Sequence, residues 1–175
     1  MYGKKLYKGF TLLEIIIVII IVGVLASLAL PRFFKVVEYS RSVEAITQLK
    51  VIRQAFERCY LMRGGGPGAE MACAQGSIMQ GFPFLGVDDP SQTPNAHFDY
   101  SGVFFTSCGP AGTANLIMAG RNTRDLGGTD PGGSVTYQQC GSDAVLNNPM
   151  STILMVWDNA GIRIYGSGYY LGLKQ

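Results

Sequence analysis

An almost uninterrupted apolar segment near the amino terminus constrains the fold of this 175-residue chain more than any other feature. From Phe10 to Leu30 the segment has 21 residues, and Glu14 is its only charged side chain. An apolar stretch of about 20 residues is long enough to cross a bilayer as a helix. A carboxylate in the middle of such a stretch costs about 2.5–3.5 kcal/mol, so it requires a partner. The segment therefore predicts a helix that enters a membrane or packs against copies of itself.

The residues before the apolar segment predict its orientation. Lys4, Lys5 and Lys8 precede it, and no acidic residue comes before Glu14. Positively charged flanks stay on the cytoplasmic side, so we expect a single span with its amino terminus in the cytoplasm. A secretory signal peptide is an alternative, because Ser27-Leu28-Ala29 fits its cleavage site. Such peptides have an apolar core of about 7–15 residues, however, and this segment is longer and contains an acid.

The junction Gly9-Phe10-Thr11-Leu12-Leu13-Glu14 resembles the processing site of type IV prepilins and of the related pseudopilins of type II secretion systems. The resemblance implies that residues 1–9 are a basic leader peptide, which prepilin peptidase removes by cutting between Gly9 and Phe10. It also implies N-methylation of Phe10. Glu14 matches the signature acid of the family, and Pro31 matches the proline that follows the apolar segment.

The same resemblance implies an assembly role for Phe10, Glu14 and Pro31. In that family the glutamate of one subunit faces the terminal amine of a neighbour in the filament. In a water-poor filament core such a pair selects the register, because a slipped neighbour leaves both charges unpaired. Two alternatives stay open. The amine and the carboxylate of one chain would lie about 6 Å apart along the helix axis, so they could pair within that chain. A shallow Glu14 could instead reach the lipid headgroups.

The helix is expected to continue past Pro31 to about residue 63. The segment 31–63 carries one apolar stripe at spacings of three and four, as in an amphipathic helix. Its members are Ala45, Leu49, Ile52, Phe56 and Cys59 or Tyr60. Gly64–Gly68 then provides a stop signal. We therefore predict a transmembrane or filament-core half at 10–30 and an amphipathic half that supports a globular domain.

Residues 64–175 contain short β-like runs separated by turn residues, which predicts a small antiparallel sheet with glycine-rich loops. The predicted fold class is α+β, with the long helix packed on that sheet, and pilin-like proteins have this layout. The loop is predicted at 126–133, and a hairpin turn at 159–161. The predicted strands are 97–106, 115–120, 135–140, 152–157 and 162–165.

Four cysteines in a domain predicted to lie outside the cytoplasm indicate disulfides. Three pairings are possible. We favour Cys59–Cys73, which would attach the loop to the end of the helix, and this leaves Cys108–Cys140. A zinc site is disfavoured because the chain has no CxxC pair and one histidine.

The sequence predicts no catalytic residues, metal or cofactor. His97 is the only histidine, so it is the only base available for a serine or cysteine nucleophile. Asp125, Asp130 and Asp143 could bind calcium, but their spacing fits no calcium-loop motif. Without its leader the chain has a formal side-chain charge of −1, so no specific nucleic-acid partner is predicted. Tyr165 and its neighbours Tyr169 and Tyr170 are expected in the core or at an edge.

These features predict a structural subunit of a type IV pilus-like surface filament, for adhesion, twitching motility or DNA uptake. Expected partners are copies of the same subunit, prepilin peptidase, membrane lipid before assembly, and an inner-membrane assembly platform with a separate ATPase. The subunit would reside in the inner membrane first, then in a filament at the cell surface or in the periplasm. Two alternatives are a pseudopilin of a type II secretion system and a membrane-anchored periplasmic binding domain.

Overall fold

A computed structural model describes residues 9–94, 96–107, 113–122, 133–139, 142–148, 151–158 and 161–171. The chain forms two compact units, Met1–Val37 and Glu38–Gln175. The long helix α1 (Leu12–Met62) begins in the first unit and ends in the second. An antiparallel sheet completes the second unit. The predicted α+β class is therefore confirmed.

The described part of the first unit, residues 9–37, is mostly the apolar half of α1, and nearly all of its side chains are exposed. Ile15 is 51% exposed and Leu28 is 68% exposed. The helix continues through Pro31, as predicted from the sequence. Because no described residue covers these side chains, lipid or another protein chain would have to remove them from water.

In the second unit, the predicted stripe of α1 packs into the core. Ala45, Leu49 and Ile52 are fully buried, and Phe56 is 2% exposed. They form one cluster with apolar side chains of the sheet. The period of three and four residues therefore identified the buried face of the helix correctly.

Seven strands lie in the part of the chain that the structure describes. They are β1 (Phe98–Tyr100), β2 (Phe104–Ser107), β3 (Thr113–Arg121), β4 (Gly133–Gln139), β5 (Ser142–Asn148), β6 (Thr152–Asp158) and β7 (Gly161–Gly166). The main sheet has the order β1-β3-β6-β7, and β2 also pairs with β3. β4 and β5 form a separate two-stranded ribbon. Every pairing is antiparallel.

The central strand β6 is buried on both faces, which explains its continuous apolar sequence. Ile153, Met155 and Trp157 join the core cluster that contains α1. Leu154 and Val156 alternate with them and join a second cluster with side chains of the β4–β5 ribbon. A strand that lies between two layers has no solvent-facing positions, so it shows no polar alternation.

A second helix, α2 (Gly66–Met79), was not predicted from the sequence. Gly64, Gly65 and Gly66 have φ angles of 84°, 73° and 85°, which glycine adopts without strain. They end α1 and turn the chain, and Pro67 lies in the first turn of α2, where a missing N–H costs nothing. The sequence correctly predicted that these glycines end α1, but it did not predict the second helix that follows them.

Three contacts hold α2 in place. Cys73 forms a disulfide with Cys59 of α1, the first of the two predicted bonds. The Ser77 hydroxyl accepts a hydrogen bond from the Val103 backbone N–H at 2.9 Å. A side chain at Gly76 would collide with the Phe84 ring, so glycine permits this packing.

The strand predictions differ from the structure at two places. The predicted strand 97–106 is two strands, β1 and β2, separated by residues 101–103. The strand β5, whose polar sequence gave no clear period, was not predicted.

The predicted loop and hairpin turn lie partly outside the described residues. Gly133, the end of the predicted loop, is the first residue of β4, and residues 126–132 lie outside the described residues. β6 and β7 pair as an antiparallel hairpin with Asp158 opposite Gly161, as expected.

A buried ion pair connects α1 to the sheet within the second unit. Glu38 Oε2 accepts a hydrogen bond from Arg121 Nε at 3.0 Å, and Glu38 Oε1 lies 3.4 Å from Arg121 Nη2. Tyr170 donates to Glu38 Oε2 at 3.2 Å, and Arg41 donates to Glu38 Oε1 at 2.6 Å. Arg121 is fully buried, and it also donates to the backbone carbonyl of His97 at 2.7 Å. The cluster therefore joins the helix, β3 and the last described turn.

Replacing Arg121 with methionine should lower the free energy of unfolding by about 3–5 kcal/mol, because the Glu38 carboxylate would stay buried without its main counter-charge. Denaturant unfolding of the chain in detergent micelles, followed by Trp157 fluorescence, measures the change. Arg53→Met is the matched control, because its partner Glu57 is half exposed to solvent. This variant should lose about 1 kcal/mol or less of the free energy of unfolding. A Glu38→Leu/Arg121→Met double variant that is less stable than Arg121→Met would contradict this account.

Replacing both Cys59 and Cys73 with alanine should lower the free energy of unfolding by about 3 kcal/mol, the value expected for a loop of about 15 residues. The same denaturant titration measures it. Adding a reducing agent should destabilise the natural chain more than the double variant. Equal effects of the reductant on both proteins would show that this disulfide contributes little.

Candidate functional site

The first turn of α1 holds the Glu14 carboxylate through a capping box. Glu14 Oε2 accepts hydrogen bonds from the backbone N–H and the hydroxyl of Thr11, both at 2.8 Å. In return, the Glu14 backbone N–H donates to the Thr11 hydroxyl at 3.3 Å. Thr11 precedes the first helical residue, Leu12, so the reciprocal bonds satisfy donors that every helix start leaves without partners. The carboxylate is thereby fixed at the start of the apolar helix.

Among the described residues, donors reach only the Oε2 atom of that carboxylate. Glu14 Oε1 accepts no hydrogen bond from any described residue, and an ionised carboxylate can accept about four. The side chain is exposed, so Oε1 is accessible to a donor from another molecule. The site can therefore accept a cation without giving up the bonds to Thr11.

Gly9 and Phe10 lie immediately before this turn and are both exposed; Phe10 is 83% exposed. A Cβ atom at Gly9 would meet no heavy atom within 4 Å. Packing within the chain therefore gives no reason for glycine at this position.

The predicted assembly residues are not all close together. Phe10 and Glu14 lie in or next to the same helical turn, whereas Pro31 is 17 residues beyond Glu14 in α1. At 1.5 Å per residue this corresponds to about 25 Å along the axis. Pro31 therefore has no contact with the Glu14 carboxylate of its own chain.

α1 is the one helix among the described residues that is long and apolar enough to cross a membrane. Its most apolar 18-residue window has a mean hydropathy of 3.0, and no part of that window is buried. A buried core helix of a soluble protein has the same composition, but it would be covered. The exposure of this window therefore separates it from an ordinary core helix.

The structure describes only some of the residues considered for a metal site or for the second disulfide. The described residues contain no group of three or more acidic, histidine or cysteine side chains able to hold a metal ion. Asp143 is exposed in β5, while Asp125 and Asp130 lie outside the described residues, as do Cys108 and Cys140. The second disulfide therefore stays a prediction.

Two of the three tyrosines named above lie in the core, and His97 contacts a buried cluster through its backbone. Tyr170 is fully buried, Tyr165 is 9% exposed, and Tyr169 lies at the surface. The backbone carbonyl of His97 accepts hydrogen bonds from the Arg121 side chain and from the Asn122 N–H. In these contacts His97 contributes its backbone to the buried cluster.

The amino-terminal segment and most of the remaining chain are similar in sequence to known proteins. A family model described as a prokaryotic N-terminal methylation motif matches residues 4–30. Fimbrial protein EcpC of Eikenella corrodens is 30% identical over 141 residues, which cover 81% of this chain and 86% of that protein. The chain belongs to the type IV pilin family.

Other relatives match over different lengths. The type IV major fimbrial protein FimA of Dichelobacter nodosus is 38% identical over 58 residues, 33% of this chain and 37% of that protein. The type IV narrow pilus major component PilA5 of Thermus thermophilus is 26% identical over 121 residues, 68% of this chain and 93% of that protein. No solved structure matches. The chain spans little more than a third of the length of FimA. The pilin family is one of structural proteins.

Thr11 is the site residue that the sequence analysis missed. The signal was present, since threonine followed three residues later by glutamate, before an apolar run, is the sequence form of a capping box. The sequence analysis considered an amine or the lipid headgroups as partners for Glu14, and it did not consider the donors at the start of the same helix. In this pilin-family chain, the same carboxylate also stabilises the start of its own helix.

Replacing Thr11 with valine should destabilise the first turn of α1 by about 1 kcal/mol, because the hydroxyl that caps the Glu14 N–H is lost while the shape is kept. Amide hydrogen exchange of the chain in detergent micelles measures this as faster exchange at Glu14. Thr11→Ser is the matched control and should exchange like the natural chain. Equal exchange in the valine and serine variants would argue against the capping box.

Proposed function

We propose that this chain is a structural subunit of a type IV pilus-like surface filament. One observation carries the proposal: an exposed apolar helix of membrane-spanning length begins with a single, positioned carboxylate in a chain related over most of its length to a fimbrial protein. Relatives named as major pilus components favour this function over the pseudopilin and over a permanently anchored binding domain.

Processing comes first in this mechanism. Prepilin peptidase removes residues 1–9, with Lys4, Lys5 and Lys8 keeping the leader on the cytoplasmic face of the inner membrane. Cleavage after Gly9 makes Phe10 the first residue, and its amine is methylated. The matched methylation motif at residues 4–30 supports this step, as does a glycine that the fold itself does not require.

Assembly then exchanges lipid for protein around the apolar helix. An inner-membrane platform with a separate ATPase extracts the subunit, and the exposed side chains of residues 10–36 pack against the same segments of neighbouring copies. The new amine of Phe10 on one copy pairs with Glu14 of another, where Oε1 is available. In surroundings of low polarity an unpaired charge is costly, so this pair selects the register of packing. Adhesion, twitching motility and DNA uptake are the functions that such a filament serves.

The test uses Glu14→Leu in cells that produce the complete assembly apparatus. The variant should be processed to a chain that begins at Phe10, as measured by mass spectrometry of membrane fractions, but should give no sheared surface filaments. Glu44→Gln is the matched control, since it removes a carboxylate from the same helix outside the apolar segment and should assemble normally. Normal filament yield from Glu14→Leu would overturn the pairing of Glu14 with the Phe10 amine. Absence of the natural chain from sheared filaments would overturn the proposal and favour a permanent membrane anchor.

Gly9→Leu separates processing from assembly. It should leave the leader attached, so the chain stays in the membrane at the mass of the precursor. Filaments built from uncleaved chains would contradict the required order of the two steps.

A further inference from the structure

The second unit contains a cavity of about 230 Å³ between α1, α2 and the sheet. A water molecule occupies about 30 Å³ of liquid, so a ligand with several non-hydrogen atoms fits. Three carboxylates line the cavity: Glu57 of α1, Glu70 of α2 and Asp158 of β6. No lysine or arginine is among the described residues that line it. The lining therefore offers carboxylate acceptors to a cationic ligand and no cationic donor to an anionic one.

Aromatic rings form much of the remaining lining. Phe56 and Trp157 meet edge to face with ring centroids 5.7 Å apart, and Tyr60 lies on the same helix as Phe56. The faces of such rings attract ammonium and guanidinium groups, and they also bury the hydrocarbon that carries the charge. This lining favours an organic cation over a strongly hydrated metal ion.

A buried amide oxygen provides an independent indication of a ligand. Asn115 lines the cavity and is 3% exposed. Its Nδ2 donates to Glu70 Oε1, but its Oδ1 has no hydrogen-bond partner among the described residues. A buried oxygen without a donor destabilises the fold, so a ligand that brings an N–H group would recover part of that cost.

Two of the carboxylates are already held in position. Arg53 forms an ion pair with Glu57, and Arg163 forms one with Asp158. Neither arginine is among the residues that line the cavity. These pairs fix the orientation of the carboxylates and so reduce the entropy lost when a ligand binds.

We propose that this cavity is a binding site for an alkylammonium or guanidinium cation on a short hydrocarbon stem. The N–H groups donate to Asn115 Oδ1 and to the surrounding carboxylates, while the stem packs against Trp157. The cation is supplied either by a small free amine or by a lysine or arginine side chain of a second copy of the chain. This site is separate from the apolar helix and does not depend on the proposed assembly mechanism.

Trp157 is the only tryptophan of the chain, so its fluorescence reports on the cavity directly. The full chain is titrated with n-butylammonium chloride at constant ionic strength, in a maltoside detergent because its headgroup carries no ammonium group. We expect a saturable change with butylammonium and none with 1-butanol or butyrate, which match its length. No saturable change, or an equal response to butanol, would overturn the proposal.

Two substitutions test the assigned contacts. Asn115→Leu and Glu57→Gln should each weaken butylammonium binding by about tenfold, the effect of losing one hydrogen bond to a charged group. Glu57 is partly exposed on α1, so Glu57→Gln keeps the test valid if Asn115→Leu does not fold. Glu44→Gln, with the same change of charge elsewhere on the helix, should bind like the natural chain. Natural affinity in both cavity variants would overturn the site.

Dilution distinguishes the two sources of the cation. If a second copy supplies it, Trp157 fluorescence without added amine changes with chain concentration, and butylammonium reverses the change. If a free amine is the ligand, the signal without amine does not depend on chain concentration. Once saturable butylammonium binding is established, the dependence of the signal on chain concentration assigns the source.

Discussion

The buried contact between Glu38 and Arg121 is the interaction on which the globular unit most depends. Removing both charges from water costs several kcal/mol for each ion, and only close pairing with additional hydrogen bonds offsets that cost. Tyr170 and the carbonyl of His97 supply such bonds. A helix shifted along the sheet would leave a guanidinium buried without its carboxylate, so the pair specifies where α1 packs in this unit.

The other layers of the unit are arranged around that fixed helix. The apolar stripe of α1 covers one face of the sheet, and the β4–β5 ribbon contributes Tyr137 to the cluster on the other. The disulfide between Cys59 and Cys73 keeps α2 next to the end of α1. Since these elements carry the carboxylates and aromatic rings of the cavity, the same packing that gives stability also creates the proposed cation site.

The two units differ in how much of their apolar surface is exposed to water. The globular unit buries its apolar side chains within itself, whereas the segment before Glu38 leaves them exposed. That difference follows from composition: residues 10–30 have no polar face to present to solvent, so only lipid or another chain can cover them. Glu14 is the exception in that segment, and its bonds to Thr11 keep the charge at a defined position, where it can direct contact between copies.

The sequence alone determined the features that depend on local pattern. The apolar run, the stripe from Ala45 to Phe56, the stop at Gly64 and the strand β6 are each encoded by neighbouring residues, because helix and strand periods and glycine geometry act locally. Only the tertiary structure decided what depends on distant pairs. The contact of Glu38 with Arg121 joins residues 83 positions apart, and that of Asn115 with Glu70 joins residues 45 apart. α2 and β5 have weak local signals and are stabilised by such packing, so no pattern of neighbouring residues could reveal them.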